Sequence, residues 1–420
     1  QKEILPQEQQ RSGGTSELTM PRRLVFPSQR SRAQDGLTVD AIKLLDVKGK
    51  LVDHVSGKAA AFTARKLAEL MENKLVGDGS LVSIRVADPD KKDDSDFPLV
   101  KTEDIDTSRP VLLFLHGTAS NTSGSFSELW ARSNDDTWSK IKEIYGDNIL
   151  ALQHRTLTES PIDNAVKLLE ILPRSVRLHL VSHSRGGLIG ELLCRGQFSE
   201  SREPFTEDDL DLFDTDGLSD LAGLLKEVGN DYQHHKVQLK RLNTLLIDKQ
   251  PDVQRFVRVA CPARGTTLAS GKLDIYLSGI LNVIGVIPVL KASPIYGFLK
   301  TFTLAVARER TRPEQLPGLE AMMPGSPLIA LLNTTPVSTR APLCVIEGDI
   351  VPTGIFKKIA LFFLDRFYES DHDLVVNTPS MDGGARRSAP IPVLFDQGKE
   401  VNHFQYFGNK RTRNGLLAAL

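Results

Sequence analysis

Cysteine is scarce: Cys194, Cys261 and Cys344 are the only three in 420 residues, isolated and odd in number. No disulfide framework and no paired zinc spacing can be built from them, which fits a reducing, cytoplasmic compartment. As lone thiols they read as small buried hydrophobes. An excess of charge of either sign is also missing. Lys+Arg 52 against Asp+Glu 53 leaves a formal charge of -1, so no global basic field points to nucleic acid. Long hydrophobic runs are absent too. The most apolar stretch, residues 275–290, is shorter than the roughly 20 residues that cross a bilayer, and it contains two glycines and a proline. No signal-peptide pattern stands at the start. A chain that opens on Gln1 reads as a fragment or a trimmed product, in which a removed signal would leave no trace.

What is present is enough chain to bury a large core in one α/β domain with insertions. Residues 1–36 are rich in Gln, Ser, Arg and Gly and poor in apolar side chains, the composition of a disordered leader. From 37 to 410 the pattern is that of a single domain. Residues 37–55 and 81–87 read as two antiparallel strands with a helical stretch at 61–72 between them. The charged run 88–96 reads as a solvated loop. Residues 411–420 read as the start of a linker to a further C-terminal part.

The stretch that organises the chain is Val176-Arg-Leu-His-Leu-Val-Ser182-His183-Ser184-Arg185-Gly186. A β-branched apolar run stops abruptly, and a helical stripe begins at Leu188, Ile189, Leu192 and Leu193. Strand, sharp turn and helix form the context of the G-x-S-x-G nucleophile elbow. The strained turn needs small residues two positions either side of the serine. Gly186 meets that demand after Ser184, and Ser182 stands where the first glycine is usual. Ser184, not Ser182, is therefore the candidate nucleophile. Upstream, the apolar strand Pro110-Val-Leu-Leu-Phe-Leu ends in His116-Gly117-Thr118. A buried strand that feeds a glycine loop is where acyl-transfer enzymes aim backbone N–H groups at an oxyanion, here those of Thr118 and Arg185.

Residues 148–153 read as a strand and 161–172 as a helix, so strand, helix, strand, elbow, helix follow one another. That series is the mark of a mostly parallel sheet with right-handed crossovers and helices on both faces. His179 reads as a packed sheet residue, and His154, at a strand end, stays undecided. An acidic helical insertion covers 198–250, with a helix from Ser219/Asp220 to about Ile247. Its Asp214-Thr-Asp216-Gly217 fails the EF-hand spacing, and His234-His235 has no partner at metal spacing. An exposed insertion accounts for both. A cap or lid region spans 265–340. Within it, residues 275–290 suit either buried cap helices over an acyl site or a lid that meets a membrane surface. The cap is preferred, because membrane-surface helices carry a basic polar face.

A serine nucleophile requires a base and an acid that orients it. His403 follows the last strand-like segment, near the C-terminal end. Asp373 precedes Leu-Val-Val, while Asp349, Asp365 and Asp371 remain alternatives. The chain order serine, acid, histidine is that of α/β-hydrolases. His116-Gly-Thr, Ser182-His-Ser-Arg-Gly, the 260–269 segment Ala-Cys-Pro-Ala-Arg-Gly-Thr-Thr-Leu-Ala, Met323-Pro-Gly-Ser-Pro-Leu, Asp373-Leu-Val-Val and His403-Phe together resemble the lipase-like α/β-hydrolases. The likeness runs in particular to the α/β-hydrolase domain of bacterial proteins that also carry a caspase-like CHAT domain. It covers roughly residues 37–407 and departs from the family pattern at Ser182 and at Cys261-Pro-Ala.

The resemblance implies an α/β-hydrolase fold with an inserted cap and a serine ester hydrolase using Ser184, His403 and Asp373. Thr118 and Arg185 would supply the oxyanion hole, supported by His116, Gly117, His183 and Gly186. No cofactor and no metal is called for. The expected partners are a small-molecule or lipid acyl ester, no nucleic acid, a membrane surface only through the cap, and another domain of the same protein. A thioesterase would use the same residues. A reading from another class keeps the fold as a catalytically silent interaction or sensor domain.

Overall fold

A computed structural model describes residues 64–85, 87, 94–131, 135–199, 203–214, 224–266, 273, 277, 281, 294–309, 315–351, 372–373, 375–398 and 401–420. The expected leader, the strand at 37–55 and most of the 275–290 stretch lie outside these residues.

Seven strands form one sheet: β1 (Ser80–Ser83), β2 (Val111–Leu115), β3 (Ile149–Gln153), β4 (Arg177–His183), β5 (Asp252–Val259), β6 (Cys344–Ile350) and β7 (Val393–Gly398). Their order is β1-β3-β2-β4-β5-β6-β7. β1 runs antiparallel to β3, and the other neighbours pair in parallel. Of the expected 81–87 strand, Leu81, Val82 and Ser83 lie in β1, and their antiparallel partner is β3.

The period of two in the strands sets the layering. Val111, Leu113 and Leu115 of β2 point into one hydrophobic cluster, while Leu112 and Phe114 point into another. β2 is buried at every position, as a strand covered on both faces must be. The first cluster lies under α1 (Ala64–Leu75), then α3 (Pro161–Ile171), α4 (Gly186–Cys194), α5 (Leu224–Lys249), α6 (Pro294–Glu309) and α7 (Pro327–Thr334). The second lies under α2 (Thr137–Tyr145) and α8 (Lys410–Ala419). Local sequence explains the helix starts. Ser160 caps α3, accepting from Asp163 N at 3.2 Å while the Asp163 carboxylate accepts from Ser160 N at 2.9 Å, with Pro161 in the first turn. In α5 the side chains Leu239, Leu242 and Leu246, three and four apart, are buried.

Three expectations need correcting. Residues 411–419 do not start a linker: they lie in α8, whose Leu416 is fully buried in the second cluster. His235 is not part of an exposed insertion but is buried against Phe213 and Tyr232. Asp94, in the charged 88–96 run, is tied down rather than solvated, accepting from Thr122 N at 3.0 Å and Ser123 N at 2.9 Å. Of the 275–290 stretch, Leu277 and Leu281 are helical, and with Leu273 they form a buried stripe in the first cluster.

The chain runs outward one way from β2 to β3, crosses back, and runs the other way from β4 to β7. The switch lies between β2 and β4, where Leu115 stands beside Ser182. In α/β sheets the crevice beyond the carboxyl ends of such strands is where ligands bind. With its antiparallel first strand, helices on both faces and a strand-to-helix turn after β4, this is the α/β-hydrolase fold.

Candidate active site

β4 ends at His183 and α4 starts at Gly186, so two residues make the whole turn. Ser184 has φ 51°, in the left-handed region that side chains avoid. Holding it there costs on the order of 1–3 kcal/mol, which its surroundings must offset. Its N–H donates to Val259 O at 2.9 Å, and its carbonyl accepts from Gly187 N at 3.0 Å. The end of β2 presses on the turn from the other side. A β-carbon at Gly186 would fall 2.2 Å from the Leu115 carbonyl oxygen, so position 186 tolerates no side chain. Ser182 is a different kind of residue: a fully buried strand position in register with Leu115 and Arg258, its Oγ without a partner among the described residues.

Arg185 anchors the turn by its side chain. Nε donates to Gly318 O at 3.2 Å, Nη1 to Asn164 Oδ1 at 2.9 Å and Nη2 to Glu159 O at 2.5 Å. Burial lowers this guanidinium to about 10, against the pull of nearby carboxylates, so it stays charged at neutral pH.

The His116-Gly117-Thr118 loop lies directly on the elbow: a β-carbon at Gly117 would stand 2.9 Å from Ser184 Cβ. Gly117 N donates to Ser125 Oγ at 3.2 Å, and Ala119 N, at a residue with φ 49°, donates to Thr156 Oγ1 at 2.8 Å. Between these two tied amides, the Thr118 N–H has no acceptor among the described residues, and the Arg185 N–H likewise has none. Two free N–H groups flanking a serine are what an oxyanion hole requires. Below them His116 and His154 stack at 3.9 Å. His116 Nε2 accepts from His154 N at 3.2 Å, so its Nδ1 carries the proton and donates to Gly117 O at 3.1 Å. Burial pushes His116 down to about 3 and His154 well below its usual value, keeping both neutral.

Asp373 and His403 meet. Nδ1 of His403 stands 2.8 Å from Asp373 Oδ2, and His403 N donates to the Asp373 carbonyl at 2.9 Å. The other carboxylate oxygen accepts from Val376 N at 2.8 Å and Val375 N at 3.1 Å. Burial alone would raise this carboxyl. His403 beside it and the N–H donors outweigh burial and hold it below the usual range. Asp349 is elsewhere, accepting from His372 N at 3.3 Å and Gln397 Nε2 at 2.6 Å. Asp365 and Asp371 lie outside the described residues.

His183, preceding Ser184, joins the two halves. Its Nε2–H donates to His403 O at 2.8 Å, and its Nδ1 lies 3.4 Å from Ser125 Oγ, which in turn accepts from Gly117 N. The loop carrying His403 and the His116–Thr118 loop are thereby tied through the residue next to Ser184. Burial lowers His183 to about 3, so it is neutral at neutral pH.

Sequence reasoning overlooked several contributors. Tyr406 donates to Asp373 Oδ2 at 3.2 Å. Glu72 of α1 accepts from Thr156 N at 2.6 Å, Leu157 N at 2.7 Å and Thr158 N at 3.1 Å, fixing the loop that holds Ala119. Tyr406 lies three residues beyond His403 and could have been suspected. Glu72, far away in the chain, carries no local signal. Among the described residues no group of three or more metal-ligating side chains occurs.

A family model described as a domain of unknown function (DUF7379) matches residues 80–210 and 239–420. No curated protein matches the sequence. Among solved structures, the mature lipase BlEst2 of Bacillus licheniformis is 16% identical, with 76% of this chain and 96% of that chain covered and a TM-score of 0.30. Lipase 1 of Pelosinus fermentans is 14% identical, with 74% and 97% covered and a TM-score of 0.43. EstA of Clostridium botulinum is 11% identical, with 74% and 87% covered and a TM-score of 0.40.

Proposed function

We propose, from the premise that this chain belongs to the DUF7379 family, that it is a serine ester hydrolase acting on an acyl ester. The observation that carries the reading is the bond from His183 Nε2, next to Ser184, to His403 O at 2.8 Å, which links three things. They are a serine at φ 51° after β4, two amides beside it with no acceptor among the described residues, and a buried carboxylate–histidine pair at 2.8 Å.

In this reading Ser184 Oγ attacks the acyl carbonyl carbon while His403 Nε2 takes its proton. Asp373 holds the Nδ1 proton and stabilises the imidazolium. The carbonyl oxygen, now an oxyanion, is held by the Thr118 and Arg185 N–H groups. Collapse of the tetrahedral intermediate expels the alcohol, which receives the proton from His403. A water molecule, deprotonated by the same histidine, then cleaves the acyl-serine and returns Ser184 to its starting state. No step requires a metal or an organic cofactor. The burial of Leu273, Leu277 and Leu281 in the first cluster supports reading the region as a packed cap and not as a lid that lies open to a membrane.

The test is labelling with a fluorophosphonate probe together with hydrolysis of short-chain esters. The wild type and Ser182→Gly should label and turn over, and Ser184→Ala should do neither. Labelling that survives Ser184→Ala would overturn the assignment. A folded wild type that neither labels nor hydrolyses would instead favour a silent module.

A further inference from the structure

The carboxylate of Asp373 is shared. Its Oδ1 is occupied by the Val375 and Val376 N–H groups, and its Oδ2 receives both His403 Nδ1–H at 2.8 Å and the Tyr406 hydroxyl at 3.2 Å. Asp373 is 0% exposed and Tyr406 2%, so bulk water does not reach these oxygens to substitute for a missing donor. The hydroxyl also has a place built for it. A β-carbon at Gly348 of β6 would come within 2.3 Å of Val401 Cγ1 and 2.9 Å of Tyr406 Oη, so the side-chain-free position leaves the gap in which the hydroxyl lies. The ring is held independently, in the second hydrophobic cluster. A phenylalanine would fill the same ring volume, and packing alone does not account for the oxygen.

We infer that Tyr406 is a positioning residue for the acid–base pair: by sharing Oδ2 with His403, its hydroxyl fixes the rotation of the Asp373 carboxylate and limits how strongly that oxygen holds the imidazole. The inference deepens the hydrolase reading and rests on it for its kinetic consequences. A carboxylate oxygen divides its charge among its donors, so removing one strengthens the bond to the other. His403 must accept a proton and then release it, and a carboxylate that binds the protonated ring too tightly impedes the release. The hydroxyl remains a donor throughout any ordinary assay range, because burial and the Asp373 charge hold Tyr406 well above its usual value.

Tyr406→Phe tests this with two readouts. The first is the proton resonance of His403 Nδ1–H in the otherwise intact protein, which needs no substrate. It should move downfield as the bond to Asp373 tightens. The second is the pH dependence of probe labelling and of ester turnover. The acid limb should move to higher pH, and kcat should fall about three- to tenfold with KM nearly constant, the loss of one ordinary hydrogen bond. In an Asp373→Asn background the same substitution should add little. An unchanged resonance with an unchanged acid limb overturns the inference, even if thermal stability falls, for that combination is packing alone. An undiminished extra loss in the Asp373→Asn background overturns it too. If Ser184→Ala leaves hydrolysis intact, the hydrolase reading fails while the resonance still decides whether Tyr406 governs the pair.

Discussion

At the scale of single residues, polar groups buried without water carry large consequences. His183 donates to the backbone of His403 while its ring packs against Phe126 and Phe407. His183→Phe should keep the packing and leave the His403 carbonyl unpaired, a cost of about 1–3 kcal/mol. Loosening of His403, the proposed base, should lower kcat about tenfold or more with little change in KM, measurable by steady-state ester hydrolysis. Equal effects on both constants would show that His183 touches substrate binding instead. Glu191 of α4 is the other extreme. It is fully buried between Arg258 Nη1 at 2.5 Å and Arg387 Nη2 at 2.9 Å. Glu191→Ala leaves two guanidiniums buried without their counter-charge and should destabilise by about 3–5 kcal/mol in urea unfolding. A loss below about 1 kcal/mol would mean that the arginines find other partners.

Whole elements set which residues can meet. α8 closes the second face: Leu416 is buried, and Arg413 Nη1 donates to Phe407 O at 3.2 Å, bracing the loop that carries Tyr406 and His403. Leu416→Ala should therefore cost about 2–4 kcal/mol in denaturant unfolding. A linker at this position would tolerate the change without measurable loss. α1 acts at longer range through Glu72, whose carboxylate gathers the Thr156–Leu157–Thr158 amides, and Thr156 in turn holds the Ala119 N–H. Glu72→Ala strands those buried amides and removes the support of the loop that holds Ala119, itself in the loop proposed to carry the oxyanion hole. Both thermal stability and kcat should fall, and a variant losing stability alone would separate α1 from the site.

For the molecule as a whole, buried neutral histidines govern the response to acid. His116 and His183 are lowered to about 3 and His154 well below its usual value, each chiefly by burial. Their folded values lie below the unfolded one, so between the two the unfolded chain binds more protons. Stability is present above the unfolded value and is lost as pH falls. The loss should approach roughly 1.4 kcal/mol per pH unit for each histidine as pH drops from about 6.5. His234 works in the opposite sense: its bond to Asp163 raises it, so its contribution is present at low pH and fades as pH rises. Urea unfolding at about pH 7.5 and about pH 5.5 should show a marked drop at the lower value, and equal stabilities would show that the three histidines take up protons in the native state.

How the chain closes on itself was legible only in part. Ser184 could be singled out because the elbow is a local device: strand propensity, a turn needing small residues and a helical stripe lie within one short stretch. The unbroken apolar run of β2 marked it as a buried strand of a parallel sheet, and its descent into His116-Gly117 singled out the loop that the fold lays against the elbow. Asp373 and His403 were named from chain order and family likeness, and Asp349, Asp365 and Asp371 stayed open, because no local pattern measures a distance across 30 residues. Only the tertiary structure brings His403 Nδ1 to Asp373 Oδ2, turns Asp349 toward His372 and Gln397, and buries His235 and α8. Backbone preference and periodicity act over a turn or two of chain, whereas Glu72, Tyr406 and Gly348 matter through contacts made when distant segments pack. A glutamate in a helix and a tyrosine in a loop look alike in any sequence. What distinguishes these two is the buried amides and the carboxylate that the fold places against them.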